Sequence, residues 1–189
     1  MIQRCGWAKN HLAIHYHDTE WGVPIYDDRL LFELLILEGA QAGLSWDTVL
    51  AKRENYRKAF DNFDVRKVAS YSQDKQSELL ENPGIIRNRL KIASAIKNAQ
   101  AFIAIQQEFG SFSTYLWGFV NEPIINSPLS LADIPASSTV SDTLSKDLKK
   151  RGCSFVGTTI MYAYMQSTGL VQDHITSCFR YAELSTPRA

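Results

Sequence analysis

The chain has 189 residues, with 20 Lys and Arg against 20 Asp and Glu, so its formal net charge is zero. That balance excludes a protein that coats nucleic acid by charge alone, though not one with a local basic face. A 45% share of apolar residues excludes a disordered chain, and no apolar run reaches the roughly 18 residues that cross a bilayer.

The opening, Met1 to Trp7, has no apolar segment of the secretory type. The chain therefore reads as cytosolic. Its three cysteines, Cys5, Cys153 and Cys178, read as thiols or metal ligands rather than disulfides.

Residues 1 to 26 are rich in aromatics and histidine, and Gly22 and Pro24 limit any helix there. Asp27 or Asp28 caps a helix over Leu30 to Glu38 that is apolar on nearly all sides, a pattern that belongs in a protein interior. Ser45 caps the next helix, about 46 to 61, and Asp64 caps a short one. Another short helix covers about 73 to 81. A turn at Asn82-Pro83-Gly84 leads to a long helix with a three- and four-residue apolar period from Ile92 to Ile103, stopped by Gly110. Ser111 caps a helix containing Phe112, Tyr115, Leu116 and Phe119. Residues 121 to 140 read as a loop, and Ser141 caps a helix ending at Gly152. Val156 to Thr168 reads as a buried helix, Asp173 to Phe179 as a last short helix, and 182 to 189 as a loose tail. No segment alternates with period two, so the fold class is all-α.

Four groups of residues carry chemistry. Glu38 ends the apolar run, and an unpaired buried carboxylate costs several kcal/mol or takes up a proton. A chain keeps such a group when it has an internal partner or a task. The glycine-rich Gly39 to Ser45 and Trp46 follow it. Together they suit a flat, polar aromatic ligand, or else simply a helix end, a turn and a core indole. The helix-turn-helix at Asn82 to Arg87 either presents amides to a DNA phosphate, with Arg87, Arg89 or Lys91 nearby, or is an ordinary helical hairpin. Cys5, His17, His174 and Cys178 are a sufficient tetrahedral set for zinc, with His174 and Cys178 on one helix face. A free thiol and surface histidines remain the alternative. Trp7, Tyr16, Trp21 and Trp46 could grip an extruded base, or pack in the core. Clusters of Lys and Arg at 52–58, 87–97 and 146–151 read most simply as solvated helix faces.

Several ordered blocks carry a resemblance: Arg4 to Trp7, Tyr16 to Pro24, Leu37 to Trp46, Lys52 to Arg57, Gly84 to Arg87, Leu148 to Gly152 and Phe155 to Ile160. In these the chain resembles the bacterial type I 3-methyladenine DNA glycosylases of the helix-hairpin-helix superfamily. The resemblance implies that superfamily's all-α fold, with N- and C-terminal segments stapled by a structural zinc on Cys5, His17, His174 and Cys178. It implies one unit over 1–189, divisible into a hairpin lobe at about 28–120 and a zinc lobe of 1–27 plus 121–189. It implies an acid at Glu38, a base pocket of Trp46, Tyr16, Trp21 and Trp7, and DNA contacts at Gln41, Gly43, Leu44, Gly84, Ile86 and Arg87.

Most relatives in the superfamily carry a catalytic Asp after the hairpin, whereas residues 85 to 107 here hold no Asp or Glu. That absence fits the type I family. An N3-methylated adenine is cationic and already a good leaving group. The expected action is hydrolysis of its glycosidic bond in duplex DNA by a cytoplasmic, nucleoid-associated monomer without lyase chemistry. Glu38, kept ionised by hydrogen bonds, would accept from the N6/N7 edge. A DNA-binding module without catalysis, or a free-base binder, are the competing readings.

Overall fold

The computed structural model describes residues 2–185. Ten α-helices, two single 3-10 turns (Asp61–Phe63 and Leu131–Asp133) and one pair of very short strands make up the regular structure of these residues. In chain order they are α1 (His11–Thr19), α2 (Asp28–Gln41), α3 (Trp46–Ala59), α4 (Val65–Ala69), α5 (Gln73–Glu81), α6 (Arg89–Phe109) and α7 (Phe112–Trp117). β1 (Ile124–Ile125), α8 (Thr139–Lys150), α9 (Thr158–Ser167), β2 (Val171–Gln172) and α10 (Phe179–Ser185) complete the chain.

Local capping sets most boundaries. Asp27 accepts from the Leu30 amide, Ser45 from Thr48, Asp64 from Arg66 and Lys67, and Ser111 from Thr114. Asp28, the other candidate for α2, accepts instead from the Phe112 and Ser113 amides at the start of α7. It thereby pins the two helices together.

α2 is the central element. Leu31 through Ala40 are all buried, and the helix packs on α3, α6, α7 and α9. Phe32 lies edge-on to Phe102, which stacks on Phe112 at 3.9 Å, and the Tyr164 hydroxyl donates to Leu31 O. A second, smaller cluster gathers Cys5, Tyr16, Trp21, Leu50 and Cys178.

The structure departs from the sequence expectation in four places. β1 and β2 pair in parallel, Ile124 with Val171, inside a segment expected to be a loop. Two-residue strands carry no readable alternation. α8 is capped by Ser138, and Ser141 is the reciprocal partner of that capping box. Residues 173–178 form a turn rather than a helix. The Asp173 carboxylate, which could have capped a helix, is taken by Tyr162, Asn126 and Gln166. Residues 179–185, partly assigned to a loose tail, are helical; 186–189 lie outside the described residues.

Gly169 ends α9 at a φ of 78°, where a Cβ would lie 2.3 Å from the Pro24 nitrogen. Only glycine fits that approach. It lets residues 22–25 bond to the C-terminal end of α9 through Gly22 N to Gln166 O and Ile25 N to Thr168 O. Those bonds bring the N-terminal aromatics over α9.

Candidate functional site

Glu38 stands near the end of α2, with 4% of its surface exposed. It forms part of a cavity of about 270 Å³ with Trp7, Tyr16, Trp21, Gln41, Trp46, Ile134, Ala163 and Gln166. The structure therefore brings together all four predicted aromatics, the acid and Gln41. Tyr16 and Trp46 lie 5.3 Å apart between ring centroids, and Trp7 and Trp21 5.1 Å apart and nearly perpendicular. The rings make a cage with one carboxyl in its wall. The Trp46 indole N–H is buried and has no acceptor among the described residues.

Burial pushes the Glu38 carboxyl up to about 8, and the Ser167 hydroxyl offsets only part of the effect. In the free protein at neutral pH this group is therefore mostly protonated. Hydrogen bonds within the free protein are thus not what would hold this carboxylate ionised. Burial, followed by the nearby Glu38 and Glu20, holds the Tyr16 phenol well above its usual value, so it stays neutral. Ser167, Gln166 and Ala163 of α9 escaped the sequence reading. Their helix reads as plain core, and nothing local marks its polar members.

The Gln41–Leu44 turn overhangs the cavity. Leu44 N donates to Gln41 O at 2.7 Å, Gly43 sits at a φ of 77°, and Leu44 is 42% exposed. Beneath the turn a second space of about 390 Å³ is lined by Glu38, Gln41, Gly43, Leu44, Thr159 and Ile160. A larger groove, of about 680 Å³, lies between α2, α6 and residues 61–66. Its acids are already used: Asp28 accepts from the Phe112 and Ser113 amides, Asp61 accepts from Tyr71, and Asp64 caps α4. Size alone does not mark the site.

Cys5, His17, His174 and Cys178 are all buried, and their ligand atoms lie within 4.8 Å of one another. Cys5 Sγ and Cys178 Sγ are each 3.6 Å from His174 Nδ1, and Cys178 Sγ is 3.4 Å from His17 Nε2. A tetrahedral ion with ordinary metal–sulfur and metal–nitrogen distances has sulfur–nitrogen edges of about 3.5 Å. The donor set thus fits a metal ion.

The outer ring nitrogens are also held. His17 Nδ1 lies 2.8 Å from Asp18, itself clamped by Arg4, and His174 Nε2 lies 3.1 Å from Trp21 O. Such partners orient metal-binding imidazoles. Burial lowers His174 to about 4, which leaves the ring neutral, as a ligand must be. The cluster shares a wall with the cage: Trp7 meets His17 edge-on, and Trp21 meets His174 edge-on.

The hairpin is α5, residues 82–88 and α6. Its second helix begins at Arg89, beyond Gly84, so the amides near Gly84 are not that helix's N-terminus. Gly84 N donates to Asn82 Oδ1, and Ile86 N to the Tyr56 hydroxyl. Arg87 is exposed.

The basic clusters are not uniformly solvated. Arg53 and Arg57 bind Glu33, at 2.6 Å and 2.7 Å, and Arg53 also binds Glu20. Lys91 turns inward to backbone carbonyls of residues 40 and 42.

The chain matches the model of the methyladenine glycosylase family over residues 7–181. It is 50% identical over 182 residues to DNA-3-methyladenine glycosylase 1 of Escherichia coli (strain K12), covering 95% of this chain and 97% of that protein. A crystal structure of 3-methyladenine DNA glycosylase I superimposes with a TM-score of 0.91 at 54% identity, covering 94% of this chain and 98% of the other. A Staphylococcus aureus 3-methyladenine DNA glycosylase I, solved to show the structural basis of 3-methyladenine recognition, gives 0.91 at 35% identity over 98% of this chain and 97% of its own. The chain belongs to the methyladenine glycosylase family.

Proposed function

We propose that this protein excises 3-methyladenine from alkylated duplex DNA by hydrolysing the glycosidic bond, leaving an abasic site without strand cleavage. The observation that carries the reading is Glu38: a carboxyl buried in an aromatic cage with no cation facing it among the described residues. A base methylated at N3 brings a positive charge. When it stacks against Trp46 within the cage, that charge draws Glu38 below its raised value, and the carboxyl yields its proton and pairs with the base. An unmodified adenine offers no such charge and leaves the burial cost unmatched. The cage thus selects a cationic purine, and a carboxylate at the N6/N7 edge would accept from the amino group of adenine and repel O6 of guanine.

Chemistry then needs little help. The C1′–N9 bond breaks with its electron pair going to the purine, which leaves as neutral 3-methyladenine. The Glu38 carboxylate, paired with the base, lends some electrostatic help to the developing oxocarbenium, water bonds to C1′, and a proton passes to solvent. No lysine serves as a nucleophile in this reading, so the product is abasic DNA.

Leu44 or Gln41, presented by the Gly43 turn, fill the gap left by the extruded nucleotide. Arg87 meets the phosphate backbone, with Gly84 and Ile86 shaping the turn that presents it. Cys5, His17, His174 and Cys178 hold a structural zinc. All four positions are protein ligands, so the ion would brace Trp7 and Trp21 and take no part in bond breaking. We read residues 1–189 as one unit, its hairpin and zinc lobes joined through α2. It would act as a monomer on chromosomal DNA in the bacterial cytoplasm. Among the described residues no helix is long and apolar enough to cross a membrane.

The test is chromatography of bases released from dimethyl-sulfate-treated duplex DNA, with metal content measured on the same sample. Release of 3-methyladenine but not 7-methylguanine, with strand breaks only after alkali, is expected. Folded, metal-loaded protein that releases no base would leave a DNA-binding module instead.

A further inference from the structure

Lys91 lies in the first turn of α6, just after the hairpin's turn, and its own amide is taken by the Asn88 cap. Its ammonium crosses to the end of α2 and donates to Ala40 O at 2.8 Å and Ala42 O at 2.7 Å. Carbonyls in a helix's last turn have no partner within the helix and mark the negative end of its dipole, so a cation there is doubly favoured. Ala40 and Ala42 stand between Glu38 and Leu44 in the chain. The hairpin itself is held to α3 by Ile86 N on the Tyr56 hydroxyl and by Lys52 Nζ on Pro83 O at 3.0 Å. Lys91 extends that frame to the turn over the cavity. Its neighbours in the basic cluster, Arg87, Arg89 and Lys97, are exposed.

We infer that Lys91 is a positioning residue: it fixes the Gln41–Leu44 turn at a set distance from the hairpin, so that where the hairpin grips the DNA decides how deep the turn enters. The inference rests on the glycosylase reading above. It explains why a lysine beside an expected phosphate contact faces inward. It also separates two properties that a purely structural cap would change together. The four aromatic rings and Glu38 of the cage lie outside the turn that Lys91 holds, and only Gln41 belongs to both, so affinity for the free base should depend on Lys91 far less than excision does.

The experiment compares wild type, Lys91→Met and Lys91→Arg, each checked for melting temperature. It measures three quantities: single-turnover release of 3-methyladenine from duplex DNA, affinity for unmodified duplex, and affinity for free 3-methyladenine by tryptophan fluorescence. For Lys91→Met, excision should fall about 100-fold, the scale of a misplaced reacting group, while both affinities stay within about twofold. Lys91→Arg, which still reaches both carbonyls with a cation, should recover most of the rate. Lys91→Gln, with a donor but no charge, should fall between and serves if the methionine variant does not fold. Wild-type excision by Lys91→Met overturns the inference, and so does a parallel loss of free-base affinity. A wild type that releases no base sinks the glycosylase reading, and this inference with it.

Discussion

Glu33 and Glu38 sit on the same helix, both buried, and meet opposite fates. Glu33 is surrounded by guanidinium groups: Arg53 and Arg57 bind it closely, and Arg29 lies 3.4 Å away. Burial pushes its carboxyl up, but the hydrogen bonds from Arg57 and the charge of Arg53 outweigh burial, and the net shift is downward. Glu38 has burial without cations and stays near 8. Burial alone therefore does not mark a functional acid. The missing counter-charge does, and here it is the charge that the proposed substrate would carry.

The largest effect should come from spoiling the Glu33 side. Arg53→Met removes one partner of a buried carboxylate, and breaking such a pair costs about 3 to 5 kcal/mol. Thermal melts should fall by about 10 °C. An unchanged melt would mean that Arg57 alone satisfies Glu33.

Next comes Glu38 itself. Glu38→Gln keeps the shape of the cage but cannot pair with a cation, and excision should drop about 100-fold, or roughly 2.7 kcal/mol. Full activity with unchanged base choice would remove Glu38 from the mechanism.

The smallest effect is one of pH. The folded value of Glu38 lies above its ordinary 4.5, so its contribution to stability is complete below that value and is lost as pH rises towards 8. Glu33 behaves oppositely and contributes above the ordinary carboxylate range. Between pH 5 and pH 9 wild type should lose about 2 kcal/mol relative to Glu38→Gln, less than the whole shift implies because ionisation draws water into the open cage. Parallel stability curves for the two proteins would show that Glu38 already has a partner in solution.

Much of this was readable in the sequence wherever the cause is local. Asp27, Ser45, Asp64 and Ser111 cap because a short polar side chain precedes an apolar period. The acid and the aromatics of the cage stood out by type, with core packing as the alternative until the family resemblance grouped them, whereas Ile134, Ala163 and Gln166 did not stand out at all. What the sequence concealed depends on distant partners. Arg53, Arg57 and Lys91 look like any basic helix face until Glu33, Glu20 and the end of α2 are brought beside them. A lone acid in an apolar run needs a partner or a task, and Glu33 meets that condition as fully as Glu38; its partners prove to be Arg53 and Arg57. The turn at 173–178 was hidden because Asp173 is claimed by Tyr162, Asn126 and Gln166 rather than by its own backbone. His174 and Cys178 meet all the same, through a turn in which Cys178 N donates to Ile175 O.

The Cys and His cluster joins residue 5 to residue 178, and that has a consequence for how the protein is made. Synthesis runs from the N-terminus, so Trp7, Tyr16 and Trp21 exist long before His174 and Cys178. The hairpin, closed by contacts among residues 52 to 91, can form on the ribosome while the cage still lacks its brace. On the glycosylase reading, a chain released early would hold its hairpin without a finished place to put a base. On that same reading, competence to release a base waits for residues 174 to 178.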